Sequence, residues 1–417
     1  MRTLRIIGTA LIAVLLCLNF AACSSDDDEP EKKKKEEKKE EKKETINPRT
    51  GIATDAVAGK APDVNDENKT FDMPTSISPI SVDPDNKEIG RFSLAGINAN
   101  GEWLELYGTG EKEQNVWLEI GGVQKGVKIY NGEEVATRAI SKAKADVVFL
   151  VDNSGSMSEE ADKIAEEIIR WSQVLSQTMD VQFGCVGIDH RYINGALNIT
   201  DANTLSTYLN SARYSYDGTY RTQHFGQYME TPPADWEELQ IKANEGYTNA
   251  GGECGGIMLH FADENFAFRE GANRFYVYFT DEPNQPGGHG EWSVLSVNRE
   301  LPDNEHYNWD SSKGVIYTVF SEEYSTPENW ENWLYNENPY LFSTYTGGTT
   351  LSTSSYFEIS LDDLPVTGAI TQSFIFAFNI TEDLEVGGVY DVVITIYYPD
   401  GSIASTYTYE NIKFVEG

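Results

Sequence analysis

A short stretch in the middle of the chain carries oxygen-bearing side chains directly after an apolar run. Residues 146–157 read DVVFLVDNSGSM, so Asp152, Ser154 and Ser156 place one carboxylate and two hydroxyls at alternate positions. Gly155 eases a tight turn that can direct all three side chains to one point. Oxygen ligands with few charges suit Mg²⁺, whereas Zn²⁺ prefers nitrogen and sulfur. The spacing predicts a site for a hard divalent cation.

Further candidate ligands come from two later stretches. Residues 274–282, RFYVYFTDE, form an apolar run that ends in Asp281. Residues 245–258, EGYTNAGGECGGIM, contain Thr248 and Glu253 in a glycine-rich loop. In an open α/β sheet, ligands bind beyond the carboxyl ends of the strands. Both stretches are therefore candidates to join Asp152 at one edge of such a sheet.

Together these residues resemble the metal-ion-dependent adhesion site of von Willebrand factor A domains, over about residues 143–352. The DxSxS element is DNSGS, and the family's strand followed by Thr-Asp matches the stretch that ends in Asp281. The TGG at residues 346–348 is similar to the one that follows the last helix of many such domains. The family's middle-loop spacing places Glu253 at the third position, where the family usually has threonine and integrin β-type domains have glutamate. Thr248 is the alternative.

The resemblance implies a bound Mg²⁺, or Ca²⁺ or Mn²⁺, with one open coordination position. A carboxylate of a protein or glycan partner would occupy that position, so the implied function is adhesion-type binding. One alternative is a structural or assembly subunit of the cell surface in which the ion only stabilises the domain. Another is that DNSGS is a polar turn whose serines cap the following helix.

An enzymatic role is the least favoured hypothesis. DNSGSM does not fit the G-x-S-x-G pattern of a nucleophilic serine. His190 and His289 each follow a candidate strand end, so a serine hydrolase stays as an alternative on residue types alone. The expectation is that the chain is not an enzyme.

The elements that must position this site alternate between strands and helices. Apolar runs at VVFLV, VQFGCVGI, RFYVYF and GVIYTVF are separated by helix-like stretches, and residues 159–178 carry Ile164, Ile168, Trp171 and Leu175 at helical spacing. Continuously apolar strands between helices indicate a parallel sheet covered on both faces. The predicted fold class is a doubly wound, mainly parallel α/β sheet, Rossmann-like as in von Willebrand factor A domains, over residues 143–352.

Strand-like segments lie on both sides of this unit. Residues 68–142 and 353–417 alternate polar and apolar side chains, with glycine and asparagine between the runs. The N-terminal flank has few strands for independent stability. We therefore expect the α/β unit to be inserted in, or flanked by, an all-β sandwich to which both segments contribute, with two separate β domains as the alternative.

The N-terminal residues resemble a bacterial lipoprotein signal. Residues 1–22 have a basic start, a short apolar core and small residues before Cys23. Cys23 is the predicted lipidation site, and residues 23–67 are the predicted lipidated cysteine, acidic tag and charged linker. This implies a lipid anchor in the outer membrane of a Bacteroidetes-type cell, facing the cell surface. Plain secretion and a periplasmic orientation are the alternatives.

Charge limits the kinds of binding partner, and the cysteine count limits the possible disulfides. The chain has 32 Lys+Arg against 67 Asp+Glu, a net charge of −35. Such a surface repels nucleic acid and anionic lipid headgroups and attracts divalent cations. Besides Cys17 and Cys23 there are only Cys185 and Cys254, for which two buried thiols are expected and one disulfide is the alternative.

Overall fold

The structure is a computed structural model that describes most of the chain beyond residue 44. The described residues are 45–64, 71–99, 101–131, 143–158, 160–211, 229, 231–299, 301, 305–321, 337–354, 357–398 and 403–417. The predicted signal at 1–22, the lipidation site Cys23 and the larger part of the predicted linker lie outside them. No helix within the described ranges is long and apolar enough to cross a membrane.

Strands dominate the described part of the chain. The first seven are β1 (Ile80–Val82), β2 (Ile89–Leu94), β3 (Asn98–Ala99), β4 (Glu102–Trp103), β5 (Val116–Ile120), β6 (Val123–Lys125) and β7 (Val127–Asn131). The next six are β8 (Lys144–Asp152), β9 (Asp180–Asp189), β10 (Tyr192–Thr200), β11 (Ala272–Thr280), β12 (Val315–Ser321) and β13 (Thr350–Thr353). The last three are β14 (Phe374–Asn379), β15 (Val389–Tyr397) and β16 (Ala404–Val415).

Six α-helices accompany these strands within the described ranges. They are α1 (Ala161–Thr178), α2 (Ala202–Ser211), α3 (Trp236–Gly246), α4 (Gly255–Asn265), α5 (Tyr340–Thr346) and α6 (Pro365–Thr371). Short 3₁₀ helices lie at Asp55–Val57, Ser156–Ser158, Gly290–Trp292, Val294–Val297 and Leu361–Asp363.

A six-stranded sheet is formed by the central strands in the order β10-β9-β8-β11-β12-β13. Its pairs are parallel except for β10 with β9, which is antiparallel. Nearly every residue of β8, β11 and β12 is buried, because side chains on both sides of these strands pack against helices. The uninterrupted apolar runs in the sequence have this physical cause.

Alternate residues of β8 belong to two hydrophobic clusters. Val147 and Phe149 pack with residues of α1, α2 and α6, and the Phe149 ring meets Trp171 of α1 edge-on at 6.0 Å. Val148 and Leu150 pack with residues of α3, α4 and α5 on the opposite face. This packing fixes the direction of β8 and so the position of the loop that follows it.

The larger sheet has eight strands in the order β6-β5-β15-β16-β1-β2-β14-β7. All pairs are antiparallel except β1 with β16, so the sheet is mixed. Leu118 of β5, Phe376 of β14 and Ile394 of β15 share one hydrophobic cluster although their strands lie in different parts of this order. The sheet therefore curls around a single core, nearly as a barrel does.

The predicted fold class is wrong for this chain. The described structure is mostly β, with sixteen strands against six α-helices, and its largest element is the curled, mixed eight-stranded sheet. A doubly wound α/β unit attached to a two-layer sandwich does not describe it. The prediction gave too much weight to the strand–helix alternation of the central segment. Both flanks were expected to contribute to one β structure, but nothing local in them shows that their strands form a single curled sheet instead of a two-layer sandwich.

A buried lysine ties the N-terminal described segment to this sheet. The side chain of Lys125 in β6 is fully buried, and its Nζ lies 3.1 Å from Asp55 and 2.7 Å from Asp383. It also donates a hydrogen bond of 2.6 Å to Thr381. A buried ammonium is tolerated because it has these partners. Residues around Asp55 are thereby fixed against the edge of the sheet.

The two cysteines of the described region are both buried and free. Cys185 lies in β9 and Cys254 directly precedes α4. The expectation of two buried thiols is therefore confirmed for these residues, and the disulfide alternative is wrong.

Candidate functional site

The carboxyl ends of β8 and β11 bring the first candidate residues together. The two strands pair in parallel with Val151 opposite Phe279, so Asp152 and Thr280 are the last residues of neighbouring strands. The Thr280 hydroxyl donates a hydrogen bond of 3.0 Å to Asp152 Oδ2. This contact aligns the two strand ends and orients the Asp152 carboxylate.

The loop after β8 then turns its serines toward β11. The backbone N–H of Ser154 donates to Asp152 Oδ1 at 3.0 Å, which is the tight turn expected for this loop. The hydroxyls of Ser154 and Ser156 lie 3.0 Å apart, and Ser156 donates a bond of 3.2 Å to Asp281 Oδ1. The structure thus brings together four of the predicted residues, Asp152, Ser154, Ser156 and Asp281.

One oxygen at this point has no partner. Asp281 is 0% exposed, and its Oδ2 atom makes no hydrogen bond in the described structure. A buried carboxylate oxygen without a partner is costly, because its hydration is lost and nothing replaces it. Two hydroxyls and carboxylates are also the donor set that Mg²⁺ accepts. The residues present therefore fit a hard cation.

The electrostatics of the site favour a bound positive charge. Burial raises the pKa of Asp152 well above its usual range, and the charges of Asp281 and Glu253 raise it further. Burial raises the pKa of Asp281 to about 7; the charges of Glu282 and Glu160 act in the same direction, and the hydrogen bond from Ser156 opposes them. Crowded, buried carboxylates of this kind need either a proton or a cation.

The two middle-loop candidates have different surroundings. Glu253 is buried, its Oε1 lies 3.2 Å from His190 Nδ1, and its Oε2 accepts a bond of 3.2 Å from Gln285. Its charge contributes to the raised pKa of Asp152. The structure therefore places Glu253 in the electrostatic environment of the strand-end carboxylates.

Thr248 contacts residues outside the strand-end cluster. Its backbone forms an isolated bridge with Tyr192 at the start of β10. Its hydroxyl accepts a hydrogen bond of 3.0 Å from the amide of Asn249. No hydrogen bond joins it to the DNSGS loop in the described structure, so Thr248 is not brought to that cluster by these contacts.

Three residues around the site were not among the ligands predicted from the sequence. Thr280 orients Asp152, and Glu282 shares the amide of Gln285 with Glu253 at 2.9 Å. Glu160 is buried, and its Oε1 accepts a hydrogen bond of 2.7 Å from Ser321 at the end of β12. The Thr-Asp pair at the end of β11 was a usable signal for Thr280. Glu160 resembles any acidic residue at a solvated helix start.

The cluster differs from sites built from side-chain carboxylates and imidazoles. Among the described residues, no group of three or more His, Cys, Asp and Glu side chains has an arrangement that could hold a metal ion. The cluster at the strand ends relies on the hydroxyls of Ser154 and Ser156 instead. A cation here would be held by few charged groups.

The histidines of the hydrolase hypothesis have no described hydrogen bond to Ser154 or Ser156. His190 contacts Glu253, and the ring of His289 stacks on Trp292 with centroids 4.0 Å apart. The described hydrogen bonds of the Ser154 and Ser156 hydroxyls join them to each other and to Asp281.

Comparisons with known proteins give distant structural likenesses. No family model matches the chain, and no curated protein matches it. The pilus adhesin SpaC from Lactobacillus rhamnosus GG, in its open conformation, is 10% identical with a TM-score of 0.29. The match covers 85% of this chain and 55% of the adhesin, so the chain spans about half the adhesin's length.

A second solved structure is a point mutant of the PilB minor pilin from Streptococcus sanguinis. It is 10% identical with a TM-score of 0.28, over 71% of this chain and 76% of the pilin. At these TM-scores neither likeness determines the fold or the function of this chain. The functional argument therefore rests on the geometry of the strand-end cluster.

Proposed function

We propose that this chain is a cell-surface protein that binds a partner through a divalent cation, in an adhesion-type interaction. Asp152, Ser154, Ser156 and Asp281 would hold Mg²⁺, or Ca²⁺ or Mn²⁺, with Glu253 as the additional ligand from the middle loop. The partner would be a protein or glycan that presents a carboxylate.

One observation carries the proposal. The buried Oδ2 atom of Asp281 has no partner in the described structure, although Oδ1 of the same carboxylate accepts from Ser156, whose hydroxyl lies 3.0 Å from that of Ser154. A turn or helix cap would explain the serine contacts but leaves this oxygen unexplained. A cation would satisfy the oxygen and the two hydroxyls together.

The residues of the chain have distinct roles in this arrangement. Thr280 holds Asp152 in place through its hydroxyl, and the Ser154 backbone fixes the other carboxylate oxygen. Ser154 and Ser156 supply neutral oxygens, so they add no negative charge to the cluster. A bound Mg²⁺ would supply positive charge and an open coordination position for the partner's carboxylate. With Asp152 and Asp281 as the carboxylate ligands, the site keeps affinity for an external anion, and direct ligation by Glu253 would weaken that affinity.

Charge makes the interaction depend on the cation. The chain carries a net charge of −35, so an acidic partner is repelled at long range. Attraction would come from the local field of the ion, because charges interact strongly at short distance in a partly dry site. The N-terminal lipid anchor implied by the sequence would hold the protein on the outer membrane.

The test is binding of the purified protein to host-matrix and bacterial-envelope fractions, with Mg²⁺ and with EDTA. We expect bound partner to be lost in EDTA and restored by Mg²⁺. Ser154→Ala should abolish the EDTA-sensitive binding of the partner. Ser176→Ala changes an exposed position of α1 and should leave that binding intact.

Two other outcomes would redirect the assignment. A melting temperature that rises with Mg²⁺, without any EDTA-sensitive partner, would favour a structural subunit with a stabilising ion. Covalent labelling of Ser154 or Ser156 by a fluorophosphonate would favour a hydrolase. Partner binding that EDTA leaves unchanged would overturn the proposed mechanism.

A further inference from the structure

A groove beside β5 and the end of β15 combines aromatic rings with carboxylates. Its cavity volume is about 260 Å³. The lining side chains that matter are four aromatic residues and two acids, Trp103, Tyr107, Tyr397, Tyr398, Glu105 and Glu113. We call this the aromatic groove. It is formed by residues outside the strand-end cluster of Asp152.

Strand alternation explains why aromatic rings face outward here. Along β5, Val116, Leu118 and Ile120 are buried in the core of the eight-stranded sheet, so Trp117 and Glu119 point to the other side. Trp117 meets Tyr397 of β15 edge-on, with ring centroids 5.8 Å apart. The pair forms an aromatic platform on the outer surface of the sheet.

The rings of the aromatic groove are held in place before any ligand arrives. The Trp103 indole lies against α6, where a Cβ added to Gly368 would come within 1.9 Å of the ring, although 38% of Trp103 is exposed. The Tyr107 hydroxyl donates to Glu105, and the Tyr398 hydroxyl donates to Glu102 at 3.4 Å. Side chains that are already ordered lose little entropy on binding.

The groove is acidic. Glu105 and Glu113 line it, and no lysine or arginine of the described residues does. The pKa of Tyr107 is raised to about 12, first by its hydrogen bond to Glu105, then by burial and by the charges of Glu105, Glu113 and Glu111. The Glu113 carboxylate is exposed and forms no hydrogen bond or ion pair within the described part of the chain. It is a free acceptor at the rim.

A second groove continues from the same platform. Its cavity volume is about 340 Å³, and Trp117, Glu119, Gln124 and Thr395 contribute to its lining. Lys60 and Asp63 also line it and pair with each other at 3.2 Å. Trp117 lines this groove and Tyr397 lines the first, so their edge-on pair links the two. We call the two together the linked grooves.

We propose that the two linked grooves bind an uncharged oligosaccharide. The C–H faces of pyranose rings would pack on the aromatic rings, whose faces carry partial negative charge. Sugar hydroxyls would donate to the carboxylates of Glu113 and Glu119. This binding is independent of the metal-dependent function proposed for Asp152 and its neighbours.

Charge and shape favour this ligand over two others. Glycans with sulfate or uronate groups would be repelled by Glu105, Glu113 and Glu119, because Lys60 is already paired with Asp63. A basic peptide would satisfy the carboxylates, but its lysine or arginine side chains would leave most of the aromatic area uncovered. A neutral sugar chain uses both features, because each ring presents an apolar face and a rim of hydroxyls.

The test uses the full chain with hexasaccharides of mannose, glucose, xylose and N-acetylglucosamine, measured by calorimetry in EDTA. Oligogalacturonate and hexalysine are the acidic and basic test ligands. We expect at least one neutral hexasaccharide to bind in EDTA and to bind more tightly than either charged ligand. Tyr397→Ala should weaken that binding about tenfold, and Glu113→Gln should weaken it less.

Controls separate a binding defect from misfolding. Tyr397→Phe keeps the ring and should bind as the unchanged protein does, and Tyr192→Ala, an exposed tyrosine on the other sheet, should also have no effect. Absence of binding by all four neutral hexasaccharides at millimolar concentration would overturn the proposal. Binding of hexalysine alone would assign the groove to basic peptides instead.

Discussion

The Ser156 hydroxyl donates a hydrogen bond of 3.2 Å to Asp281 Oδ1, although the two residues are 125 positions apart in the chain. The contact exists because β8 and β11 are parallel neighbours, so that the loops after both strands meet at one sheet edge. The other oxygen of the same carboxylate is buried without a partner.

Replacing either residue should weaken binding of Mg²⁺. Ser156→Ala removes a neutral oxygen, and Asp281→Asn removes the charge that a cation would balance. We expect each variant to lose more than about tenfold in affinity, measured by calorimetry of the metal-free protein. Ser176→Ala is the matched control, because Ser176 is exposed on α1. Equal affinities in all four proteins would refute the site.

Stability in EDTA should fall as the pH rises. The pKa of Asp281 is about 7 in the folded protein against an ordinary value of 3.8, because burial disfavours its charged form. The folded state therefore binds this proton more tightly than the unfolded chain does. The stabilisation is complete below the ordinary value and is lost as the pH rises through about 7, with a slope of roughly 1.4 kcal/mol per pH unit.

Thermal melts across this pH range, with EDTA or with Mg²⁺, measure the effect. Mg²⁺ should raise the melting temperature most above the pKa of Asp281, where a proton no longer competes. Asp281→Asn should flatten the pH dependence in EDTA. A melting temperature that rises steadily with pH in EDTA would contradict the assignment.

Glu253 and Thr248 can be distinguished by matched substitutions. Glu253→Gln should lower the affinity for Mg²⁺, because the variant loses the negative charge that acts on Asp152. Thr248→Ala should leave the affinity within about twofold, because its hydroxyl bonds to Asn249 instead. The measurement is calorimetry of Mg²⁺ binding. A large loss in the Thr248 variant with none in the Glu253 variant would reverse the choice of middle-loop ligand.

Arg269, which is not part of the candidate site, should contribute strongly to the stability of the fold. Asp146 in β8 is fully buried, and it accepts bonds from the Arg269 backbone N–H at 2.7 Å and from Nε at 2.6 Å. Arg269 also pairs with Asp180 at the start of β9. Arg269→Ala keeps the backbone bond but removes the ion-pair partner of the buried Asp146 carboxylate, so we expect a loss of about 3–5 kcal/mol in the free energy of unfolding.

Chemical denaturation measures this loss, and an exposed ion pair supplies the control. Lys242 and Glu238 pair at 2.9 Å on the surface of α3, where the pair contributes about 0.3–0.5 kcal/mol. Lys242→Ala should therefore have little effect. Similar losses in both variants would show that the buried pair is no more important than a surface one.

Local sequence was sufficient to predict where the central strands β8 and β11 end. The run before Asp152 and the run before Asp281 are apolar because both faces of β8 and β11 are covered, and each ends where polar side chains begin. Periodicity of this kind depends on neighbouring residues and can be read from them. The helix at 159–178 was predicted for the same reason, and α1 begins two residues after the start of that range and ends at Thr178.

Only the tertiary structure decided which distant segments pair and what their pairing creates. Strands from the two flanks, β1, β2, β5 to β7 and β14 to β16, form one curled and mixed eight-stranded sheet instead of the two-layer sandwich of the predicted fold class. Backbone hydrogen bonds between strands carry little side-chain information about the partner strand, so pairing between distant segments is not visible in local sequence. The burial of Lys125 beside Asp55 and Asp383, the orphan oxygen of Asp281 and the aromatic platform of Trp117 and Tyr397 all depend on such long-range pairing.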